Sequence, residues 1–158
     1  KITRNLKVDK EVFYTDFIDH EDNWDSTIYK KELQRPGDLG QKMQAAFEAG
    51  FNEGYQKIVL IGTDLITLEA SDIQKAFEAL NSNTAVFGPA QDGGYYLIGL
   101  AQMKPELFKN IPWSTAEVLT RSLEKIDDTY QLLQIKNDID TVEDLAEIPV
   151  FLPFIPLL

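Results

Sequence analysis

The segment Lys57 to Gly62 (KIVLIG) is a continuous apolar run held between two stretches of helical periodicity. Such a run suits a strand covered on both faces, as in parallel sheets, because a strand with one wet face alternates instead. Before it, Leu39, Met43, Ala46, Phe47 and Phe51 recur at helical spacing, which predicts a helix over Asp38 to Gly54 with Gly54 at its C-terminal cap. After it, Leu68, Ile73, Phe77 and Leu80 predict a second amphipathic helix over Thr67 to Asn81. The order helix, buried strand, helix is the grammar of an α/β domain.

The rest of the chain extends that grammar. Val12 to Ile18 reads as a strand, and Thr27 to Gln34 as a short strand near a sheet edge because of its lysines. Thr84 to Pro89, Tyr95 to Leu100 and Tyr130 to Ile135 are further strands. Ser114-Thr115-Ala116-Glu117 has the spacing of a capping box opening a helix that runs to about Ile126, and Thr141 starts a short last helix. Strands alternating with helices predict a mostly parallel sheet with helices on both sides. The 158 residues suit one domain over 1–158. The opening Lys1 to Lys7 reads like the last turn of a helix, so an N-terminal βα segment is expected to be missing.

Composition excludes several classes. The formal charge is −11, from 26 acidic and 15 basic residues, which disfavours nucleic-acid binding because phosphate backbones need clustered Lys and Arg. A small anionic substrate remains compatible if a divalent cation offsets the repulsion. The absence of cysteine excludes disulfides and thiolate metal sites and suits a cytoplasmic protein. No apolar run spans a bilayer. The Pro-rich tail Pro149 to Leu158 is expected to pack on the chain's own sheet, with a partner subunit in a homodimer as the alternative.

In open α/β sheets ligands bind beyond the carboxyl ends of the strands, which selects the polar residues to weigh. Asp64 follows the KIVLIG run and Gly62, where a carboxylate can hold Mg²⁺ or Mn²⁺ against phosphate oxygens or else cap the next helix. Asp138 and Asp140 follow the strand from Tyr130. If the two strands run the same way, Asp64 and Asp140 share a sheet edge and can hold one hard cation, Asp138 being the weaker candidate. The alternative is that they favour the next helix N-terminus electrostatically.

Three other segments carry polar candidates. Asp92-Gly93-Gly94-Tyr95 is on spacing alone a hairpin turn, and it can still bring Asp92 to the site as a base or an acceptor for sugar hydroxyls. Gln34, Gly37 and Asp38 open a helix whose N–H groups favour polar ligand edges, although a simple turn with Asp38 as N-cap explains them equally. Trp113, beside Ser114, can stack on a sugar or base or pack on the helix it precedes. His20, the single histidine, sits in a polar loop and reads as a surface residue.

Taken in order, GDLGxxM, VLIGTD, GPAxDGGYYLIGL, LFxxIPWST and DIDTxEDL resemble a family of small bacterial GT-A-type glycosyltransferases, some named for arsenosugar biosynthesis. The match covers roughly Val12 to Ala146. The set is more distantly similar to guanylyltransferases that activate phospholactate or molybdopterin. The resemblance implies a three-layer α/β/α, Rossmann-like nucleotide-diphospho-sugar transferase fold. It implies metal ligation by Asp64 and Asp140. It places Gln34 and Gly37 beside the base, and Asp92 to Tyr95 with Trp113 and Ser114 near the sugar or acceptor. Two departures stand out. Ile66 occupies a position where the family usually has proline, and the family's first strand with its Lys/Arg loop has no counterpart, so the chain as it stands is expected to be poorly active.

The expected function is a metal-dependent glycosyltransferase taking a nucleotide-sugar donor and a small-molecule acceptor. A nucleotidyltransferase acting on a small phosphorylated acceptor is the alternative, and a non-catalytic nucleotide-binding or scaffold module is the third.

Overall fold

A computed structural model describes residues 2–62 and 67–136. Strands β1 (Glu11–Tyr14) and β2 (Lys30–Leu33) pair in parallel as a two-stranded sheet. Helix α1 (Leu39–Asn52) leads to β3 (Ile58–Ile61), and helix α2 (Ala70–Ala79) to β4 (Ala85–Pro89) and β5 (Tyr95–Leu100). A short 3₁₀ turn, Pro105–Phe108, precedes α3 (Val118–Leu123) and β6 (Tyr130–Leu132). The second sheet has the order β3-β5-β4-β6.

The expectation of a mostly parallel sheet is corrected. β5 runs antiparallel to both β3 and β4, whereas β4 and β6 are parallel. The sheet is therefore mixed, because the short turn after β4 can only return the chain antiparallel; a parallel return needs a crossover. It follows that β3, β4 and β6 all point the same way and β5 alone points back.

Period-two alternation places helices on both faces. Ile58, Leu60, Ala85, Phe87, Ile98 and Leu100 face a core with Met43 and Phe47 of α1 and with Leu107 and Phe108. Val59, Ile61, Val86 and Leu97 face the opposite core, with Ile73, Ala76 and Leu80 of α2. The three layers are thus present. β3 is half-buried along its length rather than fully buried, since among the described residues it pairs on one side only.

The alternation breaks once. Gly88 pairs with Leu97 but Pro89 with Tyr95, so Tyr96 is an extra residue in a β-bulge. Tyr96 and Leu97 consequently share the α2 face, and Tyr95 turns to the α1 and α3 face. The Tyr96 ring lies over Gly88, where any β-carbon would come within 2.5 Å of it.

Local chemistry sets the helix ends. Asp38 Oδ1 accepts the Gln41 N–H at 2.8 Å while Gln41 Oε1 accepts the Asp38 N–H at 2.9 Å, a reciprocal cap on α1. Asp38→Ala is expected to cost about 1 kcal/mol, measured as the shift in a urea unfolding midpoint. Helix α2 starts later than its periodicity suggests, because Asp72 Oδ2 accepts the Glu69 N–H at 2.8 Å and caps there. The capping box expected at Ser114 is not formed. Ser114 has φ of 62°, and Thr115 Oγ1 donates to the Pro112 carbonyl at 2.7 Å, closing a turn that delays α3 to Val118. The first two strands are shorter than expected, since the chain between them folds into turns around Asp22, which accepts from Tyr14 and from Lys31 at 2.7 Å. β6 likewise ends at Leu132. The helix expected at Thr141 and the tail Pro149 to Leu158 lie outside the described residues. Among the described residues no helix is long and apolar enough to cross a membrane.

Candidate functional site

The common direction of β3, β4 and β6 sends three connections to one edge of the sheet: the chain after Gly62, the hairpin turn 90–94, and the chain after Lys136. Gly62 N donates to the Tyr96 carbonyl at 3.1 Å, Gln91 N to the Lys136 carbonyl at 3.0 Å, and Lys136 Nζ to the Thr67 carbonyl at 2.6 Å. Thr67 follows the connection that contains Asp64, and Lys136 precedes the one that contains Asp140. Asp64, Asp138 and Asp140 themselves lie outside the described residues.

The hairpin turn is exposed at Asp92 and closely packed beside it. Asp92 Oδ1 accepts the Gly94 N–H at 2.8 Å, which leaves its second oxygen for other donors. Gly93 has φ of 90°, and a β-carbon there would fall 2.2 Å from the Ala116 carbonyl oxygen. Only glycine satisfies both the left-handed backbone and that contact. The Gly93 carbonyl also accepts the Leu119 N–H at 3.0 Å, fastening the turn to the start of α3.

Trp113 packs on α1 at Gly40, in the same apolar cluster as Leu119 and Leu123 of the helix it precedes. A β-carbon at Gly40 would sit 2.7 Å from the indole Nε1 and 2.6 Å from the Phe108 carbonyl oxygen, so the missing side chain makes room for the ring. Two separate sequence segments, Asp38 to Gly40 and Trp113, are thereby brought together. Gly50, in the C-terminal part of α1, packs against Ile58 at the start of β3. Gln34 is fixed through its backbone, donating to the Tyr14 carbonyl at 2.8 Å, and Gly37 takes φ of 136° against Gln41. Ser114 and His20 are exposed.

Tyr95 differs from its neighbours in the turn. Its hydroxyl is buried, as is that of Ser122, and neither meets a hydrogen-bond partner among the described residues. Burial pushes the Tyr95 phenol well above its ordinary value of 10.0. Tyr96 is pushed up to about 12 by burial and by the charge of Asp72. The folded protein therefore holds phenolic protons that the unfolded chain loses. The stability this provides is full below about pH 10 and declines as pH rises further. Tyr95→Phe is expected to leave stability at pH 7 unchanged or raise it by about 1 kcal/mol, since it removes a buried unpaired hydroxyl. It should also flatten the alkaline decline; denaturant melts from pH 8 to 11 measure both.

Lys136 and Asp72 escaped the sequence reading. They form an ion pair of 2.8 Å with side-chain exposures of 14 % and 8 %. A lysine after a strand carries no periodic signal, and the pair joins residues far apart in the chain. Among the described residues no group of three His, Asp or Glu side chains could hold a metal. A groove of about 440 Å³ runs along α2 and β6 between Lys75, Glu78, Asn83 and Gln134, and none of the candidate residues lines it.

These features define the class: a mixed α/β domain similar to nucleotide-diphospho-sugar transferases. The chain superimposes with a TM-score of 0.82 on a 1.90 Å crystal structure from Desulfovibrio desulfuricans G20, provisionally described as a nucleotide-diphospho-sugar transferase. The two are 30 % identical over 93 % of this chain and 68 % of that one. Residues 1–115 match the family described as uncharacterized proteins conserved in bacteria (DUF2064), and the chain belongs to it. Comparison with curated proteins returned no match.

Proposed function

We propose that the protein is a metal-dependent glycosyltransferase that takes a nucleotide-sugar donor. One observation carries the reading. β3 and β6 run in the same direction, and Lys136 Nζ bonds the Thr67 carbonyl at 2.6 Å, so the flanks of the connections containing Asp64 and Asp140 meet. That is the condition under which two carboxylates can share one cation.

The donor set fits Mg²⁺ or Mn²⁺, because carboxylates are hard oxygen ligands and the nearby Lys136 charge is already met by Asp72. Asp64 and Asp140 would hold the ion, which when bound supplies charge stabilisation to the departing nucleoside diphosphate. The remaining work falls to the chain's own groups. Asp92, exposed in a turn anchored by Gly93, has an oxygen to accept a proton from an acceptor hydroxyl or to bond a sugar hydroxyl. Gln34 and Gly37 border the base, and Gly94, Tyr95, Trp113 and Ser114 line the side toward the sugar. Within that group Trp113 is held by Gly40 and supplies a flat apolar surface, and the buried Tyr95 hydroxyl makes its residue a support for the turn.

Incubating the full-length protein with Mn²⁺ and labelled nucleotide-sugars tests the reading. Release of nucleoside diphosphate with transfer of the sugar is expected. Release of pyrophosphate from a nucleoside triphosphate would establish the nucleotidyltransferase alternative instead.

A further inference from the structure

Three connections reach the carboxyl edge of the sheet, and one residue, Lys136, on the chain after β6, touches the other two. Lys136 Nζ pairs with Asp72 at 2.8 Å and donates to the Thr67 carbonyl at 2.6 Å. The same Asp72 oxygen, Oδ2, accepts the Glu69 N–H at the first turn of α2. The backbone of Lys136 is also held: its N–H donates to the Pro89 carbonyl at 3.0 Å, its carbonyl accepts the Gln91 N–H at 3.0 Å, and it bridges Ala90. Lys136 thus ties the chain after β6 to the hairpin turn through its backbone and to the entry of α2 through its ammonium.

Burying such a pair yields little net stability, since desolvation of both charges offsets most of their attraction. Its distinctive effect is geometric: the pair sets how far the entry of α2 stands from the end of β6. Because the ammonium is neutralised by Asp72 and bonded to a carbonyl, it is not placed to act as a phosphate-binding charge.

We propose that Lys136 and Asp72 are positioning residues for a divalent cation–nucleoside diphosphate complex, acting by fixing the spacing of the flanks of the connections that carry Asp64 and Asp140. This rests on the transferase reading for its ligand. It predicts that lengthening the tie at constant charge is as damaging to binding as its stability cost is small.

The test is Mn²⁺ binding in the presence of GDP or UDP, followed by electron paramagnetic resonance, alongside thermal melts. Lys136→Met is expected to weaken Mn²⁺–nucleotide binding by about 10- to 100-fold, the range for residues that orient metal ligands. Asp72→Glu keeps both charges and adds one methylene. It is expected to weaken binding by about fivefold or more with little change in melting temperature, and it decides the matter if Lys136→Met does not fold. Wild-type affinity in Asp72→Glu would overturn the proposal while leaving the transferase reading intact. Absence of Mn²⁺-dependent nucleotide binding in the wild-type protein would instead overturn the reading, and this inference with it.

Discussion

Asp64→Asn is expected to lower kcat/KM for a nucleotide-sugar donor by about a hundredfold or more, with the melting temperature essentially unchanged. The substitution keeps size and shape but removes the negative charge that a hard cation requires, and loss of such charge stabilisation is worth several kcal/mol in the transition state. Asp140→Asn is expected to act in the same direction, and the double variant to add little, because under the proposed function both residues serve one ion. Steady-state assays across a Mn²⁺ series separate this from a binding defect elsewhere: activity that recovers at high Mn²⁺ indicates weakened ligation. Full activity in Asp64→Asn would remove the residue from the site.

Phe87→Ala is expected to destabilise the protein by about 3–5 kcal/mol, a fall in melting temperature of roughly 10 °C for a domain of this size. Phe87 is fully buried in β4, with its ring edge-on to Tyr95 at 5.5 Å and to Tyr130 at 6.4 Å, so one side chain joins β4, β5 and β6. Truncating it leaves a cavity in the sheet on which the hairpin turn depends. Urea unfolding measures the loss; a cost below about 1 kcal/mol would contradict the described packing.

What the sequence disclosed follows from the range of the interactions involved. Helix α1 was legible almost to the residue, because its apolar spacing and an N-cap at Asp38 are local. The apolar runs that became β3, β4 and β5 were legible for the same reason. The direction of β5 was half-visible: Asp92-Gly93 signalled a hairpin, yet βα alternation argued for a parallel sheet, and the hairpin prevailed. The bulge at Tyr96 left no trace in the pattern, since it depends on Gly88 admitting a ring from the neighbouring strand. Ser114 to Glu117 had the composition of a capping box, but Pro112 and the left-handed Ser114 closed a turn first. In the candidate site, the pairing of Trp113 with Gly40 and of Gly93 with Ala116 required the tertiary fold, as did the Lys136–Asp72 tie. The acids Asp64 and Asp140 were reached by strand direction and by resemblance, and strand direction is the part now on firm geometric ground.

The proposed function requires a divalent cation and a nucleoside diphosphate to bind together at the edge where β3 and β6 end. Isothermal titration of the full-length protein with GDP and UDP, in Mn²⁺ and again in EDTA, tests it directly. The expected result is binding in Mn²⁺ that is lost in EDTA and in Asp64→Asn. Nucleotide binding of equal affinity with and without the metal would contradict it.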